Sequence, residues 1–145
     1  MSLSKNFDNV IKFHCVMSPS GQSIWLPLVS IILIAPSGIR FTLPLIFDTG
    51  ASVTTLRSDL YPLLGLTSWD QGTKIQTATA SAVVDVFQYR CTIEVFGKQI
   101  NCPVNLMHLP QNPLYCGLFG RDTVFENFGF GFWESSHEIY VSLTP

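Results

Sequence analysis

The chain has 145 residues, 47% of them hydrophobic and 12% charged, with a net charge of −2. That is a single-domain length, with a core large enough to need no disulfide or metal staple. The eight basic residues are scattered from Lys5 to Arg121, which argues against a nucleic-acid face, and so low a charged fraction leaves apolar surface that favours an oligomer.

In chain order, Met1 to Asp8 lack the apolar run and small-residue cleavage site of a secretion signal, so a cytoplasmic location is expected. Residues 1–22 read as an extension and 23–145 as the domain. Residues 25–35 are the most apolar stretch, but they reach only about half a bilayer crossing and meet Pro27 and Pro36. They read as a core strand, with no membrane partner. Pro36-Ser37-Gly38 is a turn, and 39–47 return as a strand. Residues 53–56 are β-branched and predict another strand. Ser58 then predicts an N-cap for a short helix ending by Leu64-Gly65.

Strands are predicted over 74–80 and 82–94, bent at 78–81, and again over 100–106 after a turn at Phe96-Gly97-Lys98. Residues 108–113, with two prolines, are loop. Residues 114–119 predict a core strand, Gly120-Arg121-Asp122 opens a helix over 123–128, and 130–133 and 139–143 close the chain as strands. Two short helices cannot cover these sheets, so the expected fold class is all-β, sheet against sheet.

The cysteines (Cys15, Cys91, Cys102, Cys116) form no C-x-x-C pair and the histidines no H-E-x-x-H, so no metal and no cofactor is expected. Cys91 and Cys102 flank the turn at Gly97 and can face each other, with buried free thiols the favoured state.

Residues 45–52, Leu-Ile-Phe-Asp48-Thr49-Gly50-Ala51-Ser52, carry the chemistry. An apolar strand ends in a carboxylate held by a tight, small-residue loop. Two carboxylates about 3 Å apart that share one proton can activate water and polarise an amide carbonyl together. The chain supplies this segment once. The bland alternative is an Asx-type turn that merely ends a strand. A second feature, Gly117-Leu118-Phe119-Gly120-Arg121-Asp122, is an apolar strand running into a helix start.

The order of apolar strand, Asp-Thr-Gly-Ala, hairpin, apolar-Gly-Arg-Asp, helix and final strand resembles a retropepsin, the retroviral-type aspartic protease domain. The resemblance covers roughly residues 24–143. It implies a closed, barrel-like β domain acting as a C2 homodimer on an extended peptide, each subunit giving one aspartate. It makes Asp48 catalytic, Thr49 part of a hydroxyl grip across the dimer axis, and Gly50 a backbone contact to substrate. Ala51, where pepsin-like enzymes commonly carry Ser or Thr, implies a less acidic working pH. Ala78, Thr79, Ala80 and Ser81 would form the flap, and Ser52, Gly120, Arg121 and Asp122 would support the loop. The chain departs from viral members in three ways. Ser52 replaces a frequent acidic partner of the arginine, the flap tip has no glycine, and the N-terminal extension has no counterpart. The alternative is a non-catalytic dimerisation or peptide-binding module of the same fold. A metal- or thiol-dependent hydrolase lacks any suitable nucleophile–base spacing.

Overall fold

The computed structural model describes residues 7–143. The domain is mostly β and belongs to the all-β class, with strands linked by tight turns and short 3-10 helices. Seven strands form the main sheet: β4 (Leu28–Ile34), β5 (Arg40–Phe47), β6 (Thr54–Arg57), β7 (Thr73–Ala78), β8 (Val83–Val95), β9 (Lys98–Met107) and β10 (Gly117–Phe119). Their order is β4-β5-β10-β6-β9-β8-β7, and β4 pairs additionally with β8 through Ile32, Leu33 and Ile34. A second sheet has the order β1-β12-β11, from β1 (Asn9–Lys12), β11 (Phe128–Trp133) and β12 (Glu138–Leu143). β2 (His14–Met17) and β3 (Ser23–Leu26) form a separate ribbon.

Period-2 patterning explains the core. Val29, Ile31 and Leu33 of β4 are buried, as are Leu43, Leu45 and Phe47 of β5 and Cys91, Ile93 and Val95 of β8. Burying each such aliphatic side chain contributes about 1.5–3 kcal/mol. Phe128, Ile139 and Val141 of the smaller sheet join the same core, and Phe130 packs on Phe47 with ring centroids 4.8 Å apart. This is sheet against sheet, as the residues predict. Among the described residues, no helix is long and apolar enough to cross a membrane.

Turn chemistry places the hairpins well. Gly38 has φ 87° and closes the β4–β5 turn by donating to the Ala35 carbonyl at 2.8 Å. Phe96 (φ 51°) and Gly97 (φ 76°) give the left-handed pair of a two-residue β8–β9 hairpin.

Several expectations need correction. The strand expected over 25–35 is broken at Pro27, which has no N–H to donate, so β3 pairs with β2 and only β4 joins the main sheet. The Pro27 carbonyl instead accepts from the Phe47 N–H at 2.8 Å. Ser58 does not cap a helix. The helix is a 3-10 turn, Ser58–Leu64, whose cap position is Arg57, and the Ser58 hydroxyl bonds His108 Nδ1 at 2.6 Å. The strand expected over 114–119 shrinks to β10. Before it, the Cys116 N–H donates to Pro44 and its carbonyl accepts from Arg57, outside any regular ladder. The helix expected over 123–128 is a single 3-10 turn, Phe125–Asn127. In the N-terminal stretch, β1 adds to the edge of the smaller sheet, Val10 opposite Tyr140 and Ile11 opposite Ile139.

Candidate active site

The site follows from one topological fact. β5 and β6 are consecutive in sequence, yet β10 lies between them, parallel to β5 and antiparallel to β6. The loop joining β5 to β6 must therefore pass over the end of β10, and Asp48 is its first residue. Phe47 anchors the start, buried against Phe119, Phe125 and Phe130 with centroids 4.8–5.4 Å apart. The Asp48 N–H donates to the Phe119 carbonyl at 3.1 Å.

Two features then fix the carboxylate. The Gly50 N–H donates to Asp48 Oδ1 at 2.9 Å, and the Ala51 N–H closes a turn on the Asp48 carbonyl at 3.2 Å. The loop is also bonded to the segment after β10. Arg121 N–H donates to the Ala51 carbonyl at 3.1 Å, and Asp122 N–H to the Ser52 carbonyl at 2.7 Å. The buried Thr54 hydroxyl accepts from the Gly120 N–H at 3.1 Å. Gly120 is required there, because a Cβ would sit 2.3 Å from the Val53 carbonyl carbon. Ser52, Gly120, Arg121 and Asp122 are thus brought together, through backbone rather than through the Arg121 side chain, which is exposed.

Asp48 is half-buried and opens on a cleft of about 390 Å³. One wall is the loop itself, Gly50 to Val53. The other is the β7–β8 hairpin tip, where Thr77, Ala78, Thr79 and Ala80 face the aspartate. Ser81, expected with them, is not among the residues that line the cleft, and neither is Thr49, which is exposed on the loop. The Thr79 side chain organises the tip: its hydroxyl donates to the Ala82 carbonyl at 3.0 Å and accepts from the Ala82 N–H at 3.1 Å. That clasp replaces the glycine that a sharper turn would need.

No family model matches this chain, and no curated protein matches it. The site therefore rests on its own geometry.

The floor of the cleft contains Leu118 of the second motif and residues that motif reading does not single out: Thr55, Asn105, Met107 and Leu109. Thr54, whose hydroxyl ties the loop to Gly120, lies outside the cleft lining and is likewise not singled out by motif. The available signal was Asn105, an amide inside the apolar run of β9.

A second cleft, of about 460 Å³, lies between Pro36, Arg40, Tyr89 and Arg90. It is larger, but its two guanidiniums are already engaged, Arg40 by Glu94 and Arg90 by Asn101. The remaining candidate acids are structural. Asp59 accepts from Arg57 Nε at 2.6 Å, and this bond holds its carboxyl below the usual range. Asp85 pairs with Lys74 at 3.3 Å, and Asp70 accepts from the Ser68 hydroxyl. Among the described residues, no group of three or more His, Cys, Asp or Glu is placed to hold a metal ion. Cys91 and Cys102 stand opposite each other in the β8–β9 register, and both are buried free thiols.

Proposed function

We propose that the chain is an aspartic endopeptidase of retropepsin-like architecture, active as a homodimer in which each subunit contributes one Asp48. The observation that carries this reading is the placement of Asp48. It sits on a loop bonded to the Gly120-Arg121-Asp122 segment and faces a hairpin tip across an open cleft. A closed, barrel-like subunit is supported by β4, which pairs with β5 on one side and β8 on the other.

A lone carboxylate can serve as a base or as an acid, not as both in one step. Two Asp48 side chains sharing a proton divide the roles: the charged one takes a proton from water while the protonated one polarises the peptide carbonyl. Thr49 and Gly50 are exposed on the loop, where a second copy and a substrate backbone respectively can reach them. An extended peptide would pair with loop and flap backbone and place alternate side chains in the cleft. With Ala51 giving the dyad no hydroxyl, the working pH is expected to be less acidic than that of pepsin-like enzymes.

The clasped, glycine-free hairpin tip favours a second reading, a peptide-binding module without catalysis. One experiment separates the two. Wild type and Asp48→Asn are sized by light scattering and then incubated with an unfolded protein. The protease reading expects a dimer, cleavage whose rate per chain falls on dilution, and a loss of about 1,000-fold or more in Asp48→Asn. Full activity in a monomer, or cleavage retained in Asp48→Asn, would sink it.

A further inference from the structure

A row of polar residues crosses the main sheet under the cleft. Thr55 of β6 is in register with Asn105 of β9, Asn105 with Gln88 of β8, and Gln88 with Thr73 of β7. Residues in register on adjacent strands share a face, so these side chains stand on one side of the sheet. The neighbouring row is Leu56, Leu106, Phe87 and Lys74, apolar until it reaches the edge strand. An amide does not enter a strand interior for packing, because burying it costs free energy unless it is hydrogen-bonded.

Asn105 is only 7% exposed, and it lines the Asp48 cleft. Gln88 Nε2 donates to its Oδ1 at 3.0 Å, which fixes the plane of the amide and uses its acceptor end. Among the described residues, no other hydrogen bond engages the Asn105 side chain, and no buried side-chain nitrogen or oxygen lacks a partner. Its Nδ2 is therefore the end that reaches the cleft. Beside it Thr55 also lines the cleft, and its hydroxyl donates to the Val53 carbonyl at 3.1 Å, which leaves the oxygen able to accept.

We propose that Asn105, oriented by Gln88, is a specificity-determining residue that reads a hydrogen-bond acceptor on a substrate side chain close to the scissile bond. The substrate class is a peptide with an uncharged amide side chain, Gln or Asn, at that position. Nδ2 donates to the amide oxygen and Thr55 Oγ1 accepts from the amide nitrogen. A carboxylate side chain is disfavoured by Asp48 in the same cleft, and an aliphatic one leaves Nδ2 without a partner. This inference rests on the proposed peptide cleft at Asp48 but not on catalysis there.

The test is a positional-scanning peptide library. It is read by cleavage with wild type, Asn105→Leu and Asn105→Asp, and by binding with the Asp48→Asn forms of the same three. Wild type is expected to favour Gln or Asn over Leu by about tenfold at one position near the cut. Asn105→Leu should invert that preference there and leave other positions unchanged. Asn105→Asp keeps the size and the oxygen that Gln88 bonds, so it tests the idea even if the leucine variant fails to fold. It should admit Lys or Arg at the same position. A library that is bound with this preference but never cut would overturn the protease reading and sustain this one. Binding or cleavage with the same preference in every variant would overturn the role of Asn105, and neither binding nor cleavage would overturn both.

Discussion

Gly120 leaves no room for a side chain. A Cβ there would lie 2.3 Å from the Val53 carbonyl carbon and 2.5 Å from the Thr54 nitrogen. Both are backbone atoms of the segment that carries the aspartate loop into β6, so neither can swing aside. Gly120→Ala must lift that segment and break the bond from the Gly120 N–H to the Thr54 hydroxyl. The expected cost is about 3 kcal/mol, measured as a fall in the urea midpoint, with the proposed activity lost alongside. Gly129→Ala is the control, since its Cβ would meet nothing nearer than Ser142 Cβ at 3.9 Å. Equal midpoints for the two variants would mean that the loop is not held at Gly120. The sequence pointed to this position through the Gly-Arg-Asp motif but suggested a different reason. It predicted entry into a helix, whereas the glycine is there because β10 runs under a loop that joins strands far earlier in the chain. No local pattern records that crossing.

At the scale of elements, the hairpins were legible and the interruptions were not. Pro36-Ser37-Gly38 and Phe96-Gly97 carry their turn geometry in the residues themselves, so β4–β5 and β8–β9 fall close to where the sequence puts them. The break at Pro27 depended on which sheet each half would join, a tertiary choice. Asn105 was missed for a related reason: an amide in an apolar run looks like a satisfied core residue until register places Thr55 and Gln88 beside it. The β7–β8 hairpin yields a prediction at this scale. At its tip the Thr79 hydroxyl bonds the Ala82 carbonyl at 3.0 Å, the Ala82 N–H at 3.1 Å and the Ser81 N–H at 3.4 Å, beside a backbone bond from the Thr79 N–H to the Ala82 carbonyl at 2.7 Å. Thr79→Ala removes the three hydroxyl bonds from an exposed turn and keeps the backbone one, so global stability should change by less than about 1 kcal/mol. Local order should suffer more. Amide hydrogen exchange at residues 78–83 is expected to accelerate about tenfold, with the main sheet unchanged. If the proposed activity holds, KM should rise more than kcat falls, because the tip shapes binding. Unchanged exchange at the tip would show that the strands, not Thr79, hold it closed.

For the whole molecule, the shared core of the two sheets sets the dependence of stability on pH at the alkaline end. Burial, with a smaller contribution from the neighbouring Cys102, pushes the Cys91 thiol from 9.0 up to about 12. Burial likewise raises Cys102 to about 11. Burial raises Cys116 as well, though it is only half-buried. In the unfolded chain these thiols ionise near their ordinary value, while the folded protein keeps them protonated. Between about pH 9 and pH 11 the native state therefore binds more protons than the unfolded state, and stability falls as pH rises. The contribution is complete below about pH 9 and lost as pH climbs through the folded values. Urea midpoints measured at pH 7.5 and pH 10.5 should show the drop. Cys91→Ala and Cys102→Ala open small cavities, so their midpoints start lower at both pH values, and the slope is the quantity to compare. Each variant should show a shallower decline than wild type, and the double variant the shallowest. Identical slopes in all four proteins would mean that the two thiols are not the groups whose burial the core enforces.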